Sequence, residues 1–324
     1  EPGVTLIVGG GYHGKSTLLG AIQRGVYAHI PGDGREYVAT VANAMKVRAA
    51  DGRAVTGVDV SSFISHLPGN ADTSHFSTEN ASGSTSQAAS LVEAIELGSP
   101  LLVIDEDTSA TNLMIRDGRM RELVQAEKET ITPLVDRISS LHRDLGVSTI
   151  MVMGGSGDYL DQADRVLMMD HYRCVDVTER AREVVSRLPR PHEDLPMSAP
   201  TEPRFPIRLR APERAKTKAA GLSSVTLDKV HLDLGDVEQI VDPGQTEAIA
   251  WMVRGLLFSY ADGKLDINQL LARLERAINS EGLDVVAKFG AHSLPGHLAR
   301  PRLVDVAAAV NRFRGLRLGD SVNS

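Results

Sequence analysis

Residues Gly9-Gly10-Gly11-Tyr12-His13-Gly14-Lys15-Ser16-Thr17 fill the pattern G-x-x-x-x-G-K-[ST] in full. An apolar run precedes them (Val4, Leu6, Ile7, Val8) and a helically spaced one follows (Leu18, Leu19, Ile22), so the pattern predicts a strand, a tight loop and a helix. Few junctions constrain a chain as strongly. Glycines allow backbone N–H groups to close around an anion, and the helix that follows turns its positive dipole end toward it. The loop from Gly9 to Gly14 is therefore expected to cradle phosphates. Lys15 would reach the β- and γ-phosphates, Ser16 would offer its hydroxyl to Mg2+, and Thr17 would bond the α-phosphate.

A second apolar run, Leu101-Leu102-Val103-Ile104, has the character of a strand buried on both faces and ends abruptly in Asp105-Glu106-Asp107. A carboxylate at that strand end can hold Mg2+ through water opposite Ser16, the role expected of Asp105. Glu106 is expected to lie on the γ-phosphate side as the general base for an attacking water.

Between these motifs runs Ser77-Thr78-Glu79-Asn80-Ala81-Ser82-Gly83-Ser84-Thr85-Ser86-Gln87, followed by the helical spacing Ala88, Leu91, Val92, Ile95. Taken alone, so serine-rich a stretch also suits a flexible loop. Its segment Ala81-Ser82-Gly83-Ser84-Thr85 resembles a degenerate LSGGQ signature of ABC-type ATPases, and Ser109-Ala110-Thr111-Asn112 resembles the D-loop that follows their second acidic strand. Together with His29–Tyr37, Asp51-Gly52-Arg53, Gly57–Val60, Gly154–Tyr159 and Leu298–Arg302, these segments resemble the family called predicted ATPases of the ABC class, over nearly the whole chain. The resemblance implies an ABC-like core that binds ATP with Mg2+, and a family-specific C-terminal region. It also implies hydrolysis in a homodimer. Ser82, Gly83 and Ser84 of one chain would cap the γ-phosphate held by Lys15 of the other, with Lys15 and Glu106 as the catalytic pair.

The sequence departs from ordinary ABC ATPases at several points. The strand Ser148–Met153 should end in a histidine that touches the γ-phosphate, yet Gly154-Gly155-Ser156-Gly157-Asp158 stands there. Ser156 or Asp158 could sense the phosphate instead, with glycine amides nearby; equally, the loop could merely let Tyr159 start the next helix. No clear Q-loop glutamine separates the phosphate loop from the signature, and that stretch is short for a full helical subdomain, so coupling to a transmembrane partner is not expected. Glu1-Pro2-Gly3 precedes the first strand with no initiator Met and no upstream strand carrying the aromatic residue that stacks on adenine in many ABC proteins. The resemblance implies a further domain ahead of the loop, so the chain is expected to be a fragment or a redesigned core. Tyr12 or Tyr37 would then be left to serve the base, although core or surface packing accounts for either.

Alternating strands and amphipathic helices point to an α/β P-loop NTPase core of ABC ATPase type. The expected sheet is mostly parallel, with Arg165–Asp170 as its last core strand. A D-G turn between Ala44–Arg48 and Val55–Val60 predicts a β-hairpin. Leu123, Ile131, Leu134, Ile138, Leu141 and Leu145 mark a long helical segment, begun anew or kinked at Pro133. The nucleotide-binding domain is read as 1–185. A proline-rich basic linker or arm follows over 186–224, with prolines at 189, 191, 196, 200, 203, 206 and 212, and then a smaller, mainly helical domain over 225–324. A hairpin is predicted at Val225–Leu234, and helices from Asp242-Pro243, from Asp266 and around Val304–Phe313.

Charge bears on the partners. Net charge is −7 and only 4% of residues are aromatic, which disfavours a basic sleeve or a base-stacking surface for single strands. Local patches remain: Arg204, Arg208, Arg210, Arg214, Lys216 and Lys218 face one acid, Glu213, and Arg300, Arg302, Arg312 and Arg314 cluster near the end. RNA or DNA is a candidate partner for them, against a solvated basic surface. A single cysteine, Cys174, excludes an intramolecular disulfide, and the absence of a long apolar run suggests a cytoplasmic protein with no membrane partner. Two other functions fit parts of the pattern: a nucleotide-gated nucleic-acid binder with secondary hydrolysis, and a P-loop kinase.

Overall fold

The computed structural model describes residues 2–67, 69, 71–124, 129–189, 193–291 and 295–319. Pro191 of the linker lies outside them. The chain forms two compact units, one of residues 1–51, 59–74 and 82–199, the other of 52–58, 75–81 and 200–324.

The first unit holds β1 (Val4–Val8), α1 (Lys15–Arg24), β2 (Met45–Val47), α2 (Gly83–Glu96), β5 (Leu101–Asp105), α3 (Thr111–Met114), α4 (Gly118–Leu123), α5 (Ile138–Leu145), β6 (Ser148–Val152), β7 (Arg165–Asp170), β8 (Arg173–Asp176) and α6 (Thr178–Arg187). The second holds β3 (Val55–Val58), β4 (Phe76–Thr78), β9 (Thr217–Ala220), β10 (Ser224–Leu227), β11 (Val230–Asp233), α7 (Pro243–Gly255), α8 (Ile267–Glu281) and α9 (Leu303–Arg312).

The six strands of the first unit's sheet run in the order β2-β5-β6-β1-β7-β8. All neighbours are parallel except β8, which returns antiparallel to β7. Arg165–Asp170 is the last parallel strand, and the turn after Asp170 adds β8 as an exposed edge. The apolar runs pair in register, Val4 beside Thr149 and Leu101 beside Ser148, so the strands' carboxyl ends reach one rim together. Beneath that rim α1 packs Leu19 on Ile7, Val103, Val152 and Met169, all buried. Each such side chain contributes about 1.5–3 kcal/mol when fully buried, which fixes the helix, and with it the loop, on the sheet.

The expected hairpin does not form. Its turn exists, with Gly52 at φ 84°, but β2 joins the large sheet beside β5 while β3 pairs with β4 in the second unit. The D-G signal specifies a reversal only; pairing partners are set by packing elsewhere. The segment before β6 is divided: α4 ends at Leu123 and Ile131 bridges Ile64 instead of continuing a helix, while after Pro133 a short helical turn at Leu134–Asp136 leads to α5 at Ile138, the new start expected there. The proline-bearing stretch is divided between the units, since Leu195 N donates to Asp136 O in the first while Ile207 N donates to Arg317 O in the second.

In the second unit, β9, β10 and β11 form an antiparallel sheet, so the predicted hairpin gains a third strand. The predicted helices are α7, which Asp242 caps through Gly244 N; α8, which opens with a reciprocal cap between Asp266 and Gln269; and α9. The arginines near the end differ in burial and in the bonds they make. Arg302 pairs with Asp305, and Arg312 is buried against Asp236, while Arg314 reaches the carbonyls of Glu79 and Gly52. Arg204 is buried too, bonded to Thr56 O and Asn311, and does not belong to the exposed run that includes Arg208, Arg210, Arg214, Lys216 and Lys218. Among the described residues, no helix is long and apolar enough to cross a membrane.

Candidate nucleotide-binding site

Two glycines of the loop after β1 are required by its geometry. Gly9 adopts φ 137°, and a Cβ there would stand 2.4 Å from Met169 O on β7. Gly14 is left-handed at φ 95° as the cap residue of α1, and a Cβ there would stand 2.7 Å from the Tyr172 ring. The pattern residues are thus the ones that let the loop lie flat against its neighbours. Ser16 and Thr17 are exposed in the first turn of α1, where the helix has unpaired N–H groups. Lys15 arches back over the loop, its Nζ donating to Gly9 O at 2.9 Å and Gly10 O at 2.8 Å. The turn after β7 braces the loop from the side: His171 N donates to His13 Nδ1 at 3.0 Å, and Tyr172 N to His13 O at 3.2 Å.

The acidic motif reaches the loop across an intervening strand. β5 is not adjacent to β1, because β6 lies between them, so the two motifs do not sit on neighbouring strands. Asp105 ends β5 with a buried carboxylate that accepts Asp107 N at 3.1 Å. Glu106, one residue on, crosses to the loop after β6, where its Oε2 accepts Gly154 N at 2.5 Å and Gly155 N at 2.9 Å. A Cβ on Gly154 would lie 3.7 Å from Lys15 Nζ and 3.8 Å from Glu106 Oε2. Lys15 and Glu106, 91 residues apart by their numbers, therefore meet over one glycine.

Sequence reasoning missed Gln87. It is fully buried in α2; its amide N–H donates to Ser109 Oγ at 3.0 Å and its carbonyl accepts Ala110 N at 2.8 Å. This one side chain ties the serine-rich helix to the segment after Asp105. The available signal was its place on the helix face that also carries Leu91 and Ile95.

The family model described as the ABC_ATPase P-loop domain matches residues 1–204, and that described as the MRB1590 C-terminal domain matches residues 216–319. The chain belongs to the ABC ATPase P-loop family. It is 30% identical over 173 residues to the uncharacterized protein MJ1628 of Methanocaldococcus jannaschii, a match that takes in 53% of this chain and 37% of that protein. It thus spans well under half the length of that curated relative. Two ATP-binding cassettes are similar in structure at a TM-score of 0.36. One is MJ1267 in its ADP conformation, 13% identical, with 57% of this chain and 85% of that one covered. The other is cbiO1 of Clostridium perfringens, part of the transporter complex cbiONQ, 16% identical, with 58% and 84% covered.

In this ABC ATPase, the fold brings the predicted phosphate loop, Lys15, Glu106 and the glycine loop after β6 to one place. The donor set fits the expected ligands: the loop and helix start offer N–H groups and an ammonium to phosphate, while Ser16 and Asp105 offer the hard oxygens that Mg2+ takes. The other predicted residues form local bonds. Ser82 caps α2 through Thr85 N and also bonds Thr85 Oγ1, with Ser84 Oγ at 3.4 Å; Ser82 is exposed and Ser84 buried. Ser156 Oγ donates to Asp158 Oδ2 and accepts Asp158 N, closing a small turn. The amides that approach a carboxylate are instead those of Gly154 and Gly155. Tyr159 anchors this loop from below, wholly buried with its hydroxyl donating to Met114 O at 2.6 Å. Burial, with the Asp136, Asp158 and Glu106 charges, pushes that phenol well above its ordinary pKa, so it stays a donor.

Proposed function

We propose that this chain is a Mg-ATP-dependent ATPase that hydrolyses ATP between two copies of itself and works apart from a transporter. The observation that carries the reading is the convergence of Lys15 and Glu106 on Gly154 at the open end of the phosphate loop. Among the described residues Glu106 is anchored through Oε2, which leaves Oε1 to take a proton from water attacking the γ-phosphorus in line. Lys15 would exchange its two carbonyl partners for the phosphates. Ser16 and Asp105 would hold Mg2+, which neutralises charge on the β- and γ-oxygens. The start of α2, with Ser82 exposed and Gly83 half-buried, has N–H groups suited to a γ-phosphate held by a second copy.

The deciding experiment pairs Glu106→Gln with a concentration series. A glutamine can still accept the Gly154 and Gly155 N–H groups but cannot act as base. The variant is expected to bind ATP, accumulate as a dimer and lose turnover by at least ~100-fold. Wild-type turnover per chain should rise with protein concentration. Unchanged turnover in Glu106→Gln removes the base assignment, and a rate independent of concentration removes the shared site. Phosphate released without any acceptor separates this reading from a P-loop kinase.

One observation favours a second reading, a nucleotide-gated RNA or DNA binder. Arg208, Arg210, Arg214, Lys216 and Lys218 are all exposed along one stretch of the second unit. Phosphate-backbone contact there would make retention on RNA fall steeply with salt, and neutralising these residues would remove that dependence.

A further inference from the structure

Strand order gives a bound nucleotide a direction. Asp105, Glu106 and Gly154 stand at the rim ends of β5 and β6, on one side of β1. A triphosphate seated in the loop after β1 presents its γ end to them. Its nucleoside end then leaves on the opposite side of β1, over β7 and β8.

What stands there is the turn that joins β7 to β8. Tyr172 lies in it with its ring against the face of Gly14, yet 71% exposed. His171 and Tyr172 are both left-handed, at φ 46° and 63°, a conformation that non-glycine residues adopt at some cost. Besides the β7–β8 pairing of Asp170 with Arg173, His171 N donates to His13 Nδ1 at 3.0 Å, Tyr172 N to His13 O at 3.2 Å, and His171 Nδ1 bonds Asp170 Oδ1 at 2.7 Å. The turn is thus pinned to the phosphate loop itself in a way that keeps an aromatic face uncovered beside it. Tyr12 is also exposed, but its ring is not seated on another element in this manner.

We propose that Tyr172 is the platform on which the base of the bound nucleotide stacks, forming a nucleobase subsite at the β7–β8 turn; this rests on reading the loop as a triphosphate site. A purine, with the larger face, is the expected ligand. The pinned turn presents the ring ready for contact, so little freedom is lost on binding.

The test is calorimetric titration of the full chain with Mg-ATP and with Mg-tripolyphosphate, which has the phosphates and no base. Tyr172→Ala is expected to weaken ATP binding by about tenfold, within the range of a lost base–aromatic stack, and to leave tripolyphosphate binding unchanged. Tyr172→Phe keeps the ring and should bind ATP like wild type. Wild-type ATP affinity in Tyr172→Ala overturns the proposal, as does an equal loss for both ligands, or a loss carried by Tyr12→Ala in its place. Lys15→Ala separates the two claims. If it loses both ligands while Tyr172→Ala loses neither, the platform is wrong and the triphosphate site stands; if Lys15→Ala binds ATP normally, the triphosphate reading itself fails.

Discussion

Glu106 Oε2 accepts the backbone N–H of Gly154 at 2.5 Å, which joins the end of β5 to the loop after β6. ABC ATPases ordinarily place a histidine in that loop; here backbone amides face the acid instead. A glycine pair suits the contact because both N–H groups approach one oxygen, and a side chain at Gly155 would crowd the other.

That crowding gives the first prediction. A Cβ at Gly155 would lie 3.0 Å from Glu106 Oε1, so Gly155→Ala must push the carboxylate aside by a few tenths of an ångström. Turnover should fall about tenfold, since a 1 Å misplacement can cost roughly a hundredfold. ATP affinity and melting temperature should hold. Steady-state phosphate release beside equilibrium binding checks the split.

Gly9→Ala should act on folding instead. Both its φ of 137° and the 2.4 Å approach to Met169 O resist a side chain, and the obstacle is backbone. A destabilisation of about 2 kcal/mol or more is expected. Urea unfolding of the variant against wild type measures it.

Gln87→Ala would leave the half-buried Ala110 N without its acceptor and remove the amide donor to Ser109 Oγ, which keeps its bond to Asp105 O. Losing that acceptor costs about 1 kcal/mol. Because the same bonds hold the segment after Asp105, turnover should drop along with stability. Gln87→Glu keeps the acceptor for Ala110 N, and turnover that recovers with Glu but not with Ala identifies that bond.

Asp236 and Arg312 supply a pH dependence in the second unit. Burial alone would raise the Asp236 carboxyl, but the Arg312 charge and its hydrogen bonds outweigh it and leave the pKa below the ordinary 3.8. A carboxylate lowered on folding stabilises the protein above its unfolded pKa, and that contribution is lost as pH falls through the folded value. Stability should therefore drop below about pH 4. In Arg312→Met, where Asp236 loses its partner, stability at neutral pH should fall by about 3–5 kcal/mol and the acid-side drop should shrink. Chemical denaturation between pH 3 and pH 7 reads both.

Some of this was legible from residues alone because the chemistry is local. The G-x-x-x-x-G-K-[ST] loop, the run ending at Asp105 and the caps at Asp242 and Asp266 are each specified within a few residues of chain, by backbone freedom, apolar continuity or a side chain reaching its own helix. The D-G turn shows the limit. Its reversal at Gly52 forms as read, while the partners of β2 and β3 were chosen by sheets the turn does not touch. The arginines near the end show the same limit: Arg302 pairs with Asp305 nearby, whereas the partner of Arg312, Asp236, is 76 residues away.

The sequence by itself determined that a phosphate loop, a strand-end acid and an α/β core would exist, since each follows from short-range sterics and hydrophobic period. Only the tertiary structure decided that β6 stands between the two motifs, that Gly154 and Gly155 hold Glu106, that Gln87 ties α2 to Ser109, and that Tyr172 lies on Gly14. Those relationships arise from strand order and from packing between distant segments, which no local pattern encodes.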